Sequence, residues 1–137
     1  MSLLKKNILL LLKVIFLARS GTIDAPISRK EDSIIERCVS SDGQKSITHY
    51  EVIDEKMFGN MQISIVRCIL ETGRTHQIRV HMSYIGHPLL GDDLYGGNTD
   101  FIERQALHSC KISFVHPITK QVVTYNSALP DDLKIFK

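Results

Sequence analysis

Between Gln62 and Pro88 the hydrophobic period of the chain changes once, and that change dictates a strand followed by a helix. From Gln62 to Leu70 apolar residues fall on both parities, with Ile63, Ile65 and Ile69 on one side and Val66, Cys68 and Leu70 on the other. The spacing predicts a strand buried on both faces. Thr72 and Gly73 break it, and beyond them Ile78, Met82 and Ile85 recur three or four apart, as on a helix face that packs against a sheet. Thr75 is placed to cap that helix, its hydroxyl accepting one of the unpaired amide protons of the first turn. The helix is expected to end at Ile85, because Gly86 suits a left-handed stop and Pro88 cannot continue.

A second stripe on the same helix carries chemistry: His76, Arg79 and Ser83. Arg79 stands between Ile78 and Val80, so its head is partly desolvated and needs a carboxylate or phosphate partner. The other reading lays its stem on the sheet and its head in water. Arg74 and the amides after Gly73 make an anion site at a helix N-terminus, or else Arg74 is simply solvated. His76, His81 and His87 lie near Asp92 and Asp93, yet His76 and His81 are five apart and point different ways. Without an HExxH or paired CxxC spacing, a metal site is not expected. The Gly91–Gly97 loop lacks the lysine and spacing of a nucleotide-binding P-loop, and no elbow motif marks a nucleophilic Ser or Cys.

At 137 residues and 43% hydrophobic, the chain can bury the core of one domain. A net charge of +2 announces no overall basic field, so affinity for nucleic acid has to come from a local patch. The three cysteines, Cys38, Cys68 and Cys110, are odd in number and unpaired in spacing, which favours a reducing, cytoplasmic setting with thiols as small core residues. Residues 1–18 form an apolar run interrupted by Lys13. They lack a small-residue cleavage site and are too short to span a bilayer, so a buried strand or helix is expected ahead of a secretory signal. Gly21–Lys30 reads as a loop with a short extended piece, and Lys30–Arg37 as a charged surface excursion. Ser46–Ile53 alternates and should join the Gln62 strand as a hairpin through Phe58-Gly59-Asn60. His87–Gly97 reads as loop, a natural substrate wall beside the helix. Phe101–Ser109 is expected to be a short helix, Ile112–Val115 and Val122–Tyr125 a hairpin, and Asp131-Asp132 the start of a terminal helix.

The stretch LETGRTHQIRVHMSYIGHPLLGDDLYG, Leu70 to Gly96, resembles the signature of the RluA-type pseudouridine synthases, and the match is long and unbroken. GTIDAPISR from Gly21, THYEVI from Thr48 and RQALHSCKISFVHPITKQ from Arg104 extend the resemblance, in the expected order, from Gly21 to about Leu133. It implies an α+β fold, a mixed, mainly antiparallel sheet with helices packed on one side of it. In these terms 1–18 is a divergent apolar N-terminal segment and 19–137 the C-terminal part of a pseudouridine synthase catalytic domain. The tyrosine-bearing strand that usually precedes the GTIDAP-like segment has no counterpart, since no tyrosine occurs before Tyr50. Either that segment has diverged or the chain was shortened at its start.

The resemblance implies isomerisation of uridine to pseudouridine in structured RNA, ribosomal or transfer, without metal or cofactor. One aspartate does the chemistry in the family, by attacking the substrate or by abstracting a proton from the sugar. The arginine matching Arg79 pairs with that aspartate and orients it. Arg74 and His76 are expected at RNA phosphate or base, and Gln77 in a supporting hydrogen bond to the RNA. The aspartate sits in an HRLDxxTSG-like motif that has no match here, and Asp24 and Asp92 belong to other family motifs. The chain therefore reads as the later half of a catalytic domain, with Arg79 facing an empty or watery site. The alternative is a catalytically silent RNA-binding module. Partners are expected to be RNA and not a membrane, with self-association through exposed sheet edges.

Overall fold

The computed structural model describes residues 5–13, 19–59, 61–100 and 102–134. Eight strands, β1 (Lys5–Lys13), β2 (Ser20–Asp24), β3 (Ile27–Arg29), β4 (Arg37–Val39), β5 (Ile47–Phe58), β6 (Met61–Leu70), β7 (Leu107–Val115) and β8 (Val122–Asn126), accompany two helices, α1 (Gln77–Tyr84) and α2 (Asp131–Lys134). A six-stranded sheet runs β2-β5-β6-β1-β7-β8, and β3 and β4 form a separate two-stranded arm. Every described pairing is antiparallel, so the fold is α+β with antiparallel sheets and few helices.

The apolar N-terminal run is the central strand. β1 pairs with β6 from Asn7↔Ile69 to Lys13↔Ile63 and with β7 on its other edge. Residues 8–12 of this strand are a continuous apolar run. The β5–β6 hairpin closes at Phe58↔Met61 with Gly59 at φ 62, as a two-residue connection demands. The β7–β8 hairpin closes at Val115↔Val122.

β6 is buried on both faces through Ile63, Ser64, Ile65 and Val66. Its even-numbered Val66 and Cys68 pack with Ile78 and Met82 of α1, with Ile23, Val52 and Leu89 around them. Its odd-numbered Ile63 and Ile65 meet Leu90, Ile102, Ala106 and Leu133. The helices therefore serve opposite faces, α1 one and α2 the other, instead of the single side expected. Burial pushes the Cys68 thiol up to about 12, so it is an apolar core group at neutral pH.

Two further expectations are corrected. Residues 102–106 are not helical, and Leu107–Ser109 belong to β7. Ala106 donates its amide to the Leu90 carbonyl, and Ile102 and Ala106 are buried, so the segment is pinned to the loop it covers. The Gly21–Lys30 stretch is mostly strand, with β2 hydrogen-bonded along β5 from Ser20↔Glu51 to Asp24↔Ile47.

Candidate functional site

β6 delivers the chain into the turn that positions α1. The Thr72 hydroxyl accepts the Ile47 amide (3.0 Å) and donates to Gln77 Oε1 (2.7 Å), which also accepts the Arg74 amide (3.0 Å). Gln77 Nε2 donates to the Ile47 carbonyl and to Thr48 Oγ1, both at 3.0 Å. Gln77 is thus enclosed, 3% exposed, with its amide fully engaged. It clamps the turn to the start of β5, an internal set of bonds for the residue expected to support an RNA contact. Thr75 does not cap the helix either. The residue before α1 is His76, in the left-handed region at φ 56 with no side-chain cap, and the Gln77 side chain takes over by satisfying the Arg74 amide. Gly86 (φ 87) follows Ile85 as expected.

The stripe of His76, Arg79 and Ser83 converges on the loop Asp92–Gly96, in which Asp93–Tyr95 form a 3₁₀ turn. Arg79 Nε donates to Asp92 Oδ2 (3.0 Å) and Nη2 to Oδ1 (2.8 Å), a bidentate pair with side chains 17% and 0% exposed. The Arg79 guanidinium also lies 5.1 Å from the centre of the Tyr95 ring. The expectation that Arg79 faces an empty site is corrected: its partner comes from a loop 13 residues on. Asp92 holds the guanidinium above its ordinary pKa, so the charge is permanent. This pairing occupies one edge of the fork, and among the described residues Nη1 makes no hydrogen bond.

Tyr95 is the node that sequence reasoning missed. Its hydroxyl accepts the Arg37 amide (2.9 Å) and shares a hydrogen bond with His76 Nδ1 (2.7 Å). Burial, together with the Arg79 charge, lowers the pKa of His76. The Tyr95 carbonyl accepts from Ser83 Oγ (2.9 Å). The one signal available was position, a tyrosine three residues beyond the aspartate in a glycine-rich loop. His81 faces away, fully buried, with Nδ1 accepting from Thr48 Oγ1 and Nε2 donating to the Ala25 carbonyl, both at 2.8 Å. Arg74 is half-buried, and its Nε donates to the Lys45 carbonyl (3.0 Å). Among the described residues no helix is long and apolar enough to cross a membrane.

Residues 9–84 match the family model described as RNA pseudouridylate synthase. The uncharacterized RNA pseudouridine synthase YjbO of Bacillus subtilis (strain 168) is 56% identical over 113 residues, covering 82% of this chain and 38% of that protein. The ribosomal large subunit pseudouridine synthase D of Buchnera aphidicola subsp. Schizaphis graminum (strain Sg) is 43% identical over 129 residues, covering 83% of this chain and 40% of that one. Human RNA pseudouridylate synthase domain containing 1 superposes with a TM-score of 0.79 at 29% identity, over 93% of this chain and 55% of that chain. The chain spans about two fifths of the length of these curated relatives. Since the family model covers more than half of the chain, this chain belongs to the RluA-type RNA pseudouridine synthases.

Proposed function

We propose that the chain supplies the arginine-bearing half of a site that isomerises uridine to pseudouridine in structured RNA, ribosomal or transfer. The observation that carries the reading is Arg79, a permanent cation fixed on one edge by buried Asp92 and open at Nη1. A fork held this way can take a second carboxylate in a set orientation without losing the first. That second carboxylate is the reacting aspartate, contributed by a segment outside this sequence. Asp92 is excluded from the role, because both its oxygens are committed to Arg79 and its side chain is 0% exposed. The reacting uridine has to leave its stack to reach such a site, and cations must hold the strand while it does. Arg74 is assigned to phosphate, and His76 to phosphate or base.

The commitment of Asp92 also favours the second reading for the chain by itself, an RNA-binding module without chemistry. The reducing, cytoplasmic setting read from the cysteines belongs to the same proposal. The test is tritium release from RNA labelled at C5 of uridine. The 137-residue chain alone should bind unmodified ribosomal or transfer RNA and release none, and release should appear when the aspartate-bearing part of a relative is added. Release by the chain alone would overturn this division of the site and direct replacement to Asp24, Asp92 and Asp93.

A further inference from the structure

The geometry points to a second anion-binding element beside Arg79, a recess that holds one sugar–phosphate unit of the RNA strand; the inference rests on the RNA reading above. Among the described residues the arginines fall into two groups. Arg19, Arg67, Arg79 and Arg104 each have a carboxylate partner: Glu55, Glu51, Asp92 and Asp132 respectively. Arg29, Arg37 and Arg74 have none, and these three line one recess of about 370 Å³. Arg29 is exposed. Arg37 Nη1 reaches only the carbonyls of Ile34, Ile35 and Glu36, at 3.3, 3.3 and 3.5 Å, and Arg74 only that of Lys45.

The walls come from separate elements: Arg29 and Arg37 from the β3–β4 arm, Arg74 and Thr75 from the turn before α1, Asp42 and Gly43 from the turn after β4. Gly43 closes the floor, because a Cβ there would lie 2.5 Å from the Ile27 carbonyl carbon. Three guanidinium groups against the single Asp42 carboxylate leave the recess cationic, and their planar forks suit phosphodiester oxygens. The volume admits a sugar together with its phosphate. The recess also shares a member with the Arg79 site. Arg37 lines the recess while its amide donates to the Tyr95 hydroxyl, whose ring lies against Arg79. A strand seated here is therefore held next to the uridine that reacts.

The test is fluorescence anisotropy of the chain with a labelled single-stranded, uridine-containing RNA 16-mer across a salt series. The double variant Arg29→Gln/Arg37→Gln should bind severalfold more weakly at 0.1 M salt. Its log–log salt slope should fall by about 0.7, the value for one phosphate contact on a single strand. Lys120→Gln, at the β7–β8 turn, should leave affinity and slope unchanged. Arg29→Glu alone alters an exposed, unpartnered side chain, so it tests the proposal even if the double variant fails to fold by circular dichroism. RNA binding by the wild type with unchanged slopes in these variants would overturn the recess and leave the RNA reading standing. No RNA binding by the wild type would overturn both. Inorganic phosphate that binds at the recess and is not displaced by the RNA would reassign it to a small anion and overturn the proposal.

Discussion

Arg79 shows how far one residue can be read. Its flanking Ile78 and Val80 announce a desolvated head that needs a partner, but the partner, Asp92, is fixed by the path of the loop. Breaking a pair this buried leaves one charge stranded, so Asp92→Ala and Arg79→Ala should each cost about 3 kcal/mol or more in chemical denaturation. The double variant should cost well under their sum, and additive losses would show that the two charges are not coupled. His81 gives a pH dependence. Burial lowers its pKa from 6.5, so the folded protein resists a proton that the unfolded chain accepts. Its contribution to stability is complete above pH 6.5 and is lost as pH falls below that value toward the lowered folded pKa. Tm should drop between pH 7 and pH 5, and His81→Gln, though less stable throughout, should show a shallower dependence. An unchanged pH profile in that variant would assign the effect elsewhere.

Elements whose signals are local agree with the structure. The β5–β6 and β7–β8 hairpins, the end of α1 and the start of α2 follow from alternation, turn residues and a glycine stop. The loop after α1 depends on long-range geometry. Gly91 has φ 77, and a Cβ there would come within 1.9 Å of the Arg104 carbonyl oxygen, whereas at Gly96, φ 90, nothing lies within 4 Å. Gly91→Ala combines backbone strain with a backbone collision and should cost about 2–4 kcal/mol, against about 1 kcal/mol for Gly96→Ala. Thermal unfolding of the two variants decides this, and equal losses would mean that Arg104 yields easily. That same approach explains why Phe101–Ser109 misled: a short amphipathic pattern was overridden by pairing of 107–109 with β1 and by the Ala106–Leu90 hydrogen bond. The N-terminus of α1 misled for a similar reason. Gln77 reaches both the turn and β5, which spacing does not reveal.

For the whole molecule, the order β2-β5-β6-β1-β7-β8 leaves β2 and β8 at the edges of the described sheet. β8 exposes Val122 (73%) and Tyr125 (59%). An exposed apolar edge strand is a template for pairing, so the chain should show concentration-dependent association in analytical ultracentrifugation. Val122→Lys should shift the weight-average mass toward the monomer, and an unchanged mass would place association on another surface. Placing β1 between β6 and β7 joins the N-terminal run to the later strands in a single sheet, with α1 and the Arg79 loop built around it.

The sequence by itself determined the strand–turn–helix unit from Gln62 to Ile85, both hairpins and the family, because alternation, helical spacing, turn residues and a long motif are properties of neighbouring residues. For Arg79 it left two readings, a partnered head or a head in water. Only the tertiary structure decided which anion, why Gln77 is buried rather than offered to RNA, and that Arg29, Arg37 and Arg74 share one recess. Those outcomes depend on side chains brought together from segments 13 to 45 positions apart, as in Arg79 with Asp92 and Arg29 with Arg74. Burial and pairing of charge are set where such segments meet, and no local period encodes that.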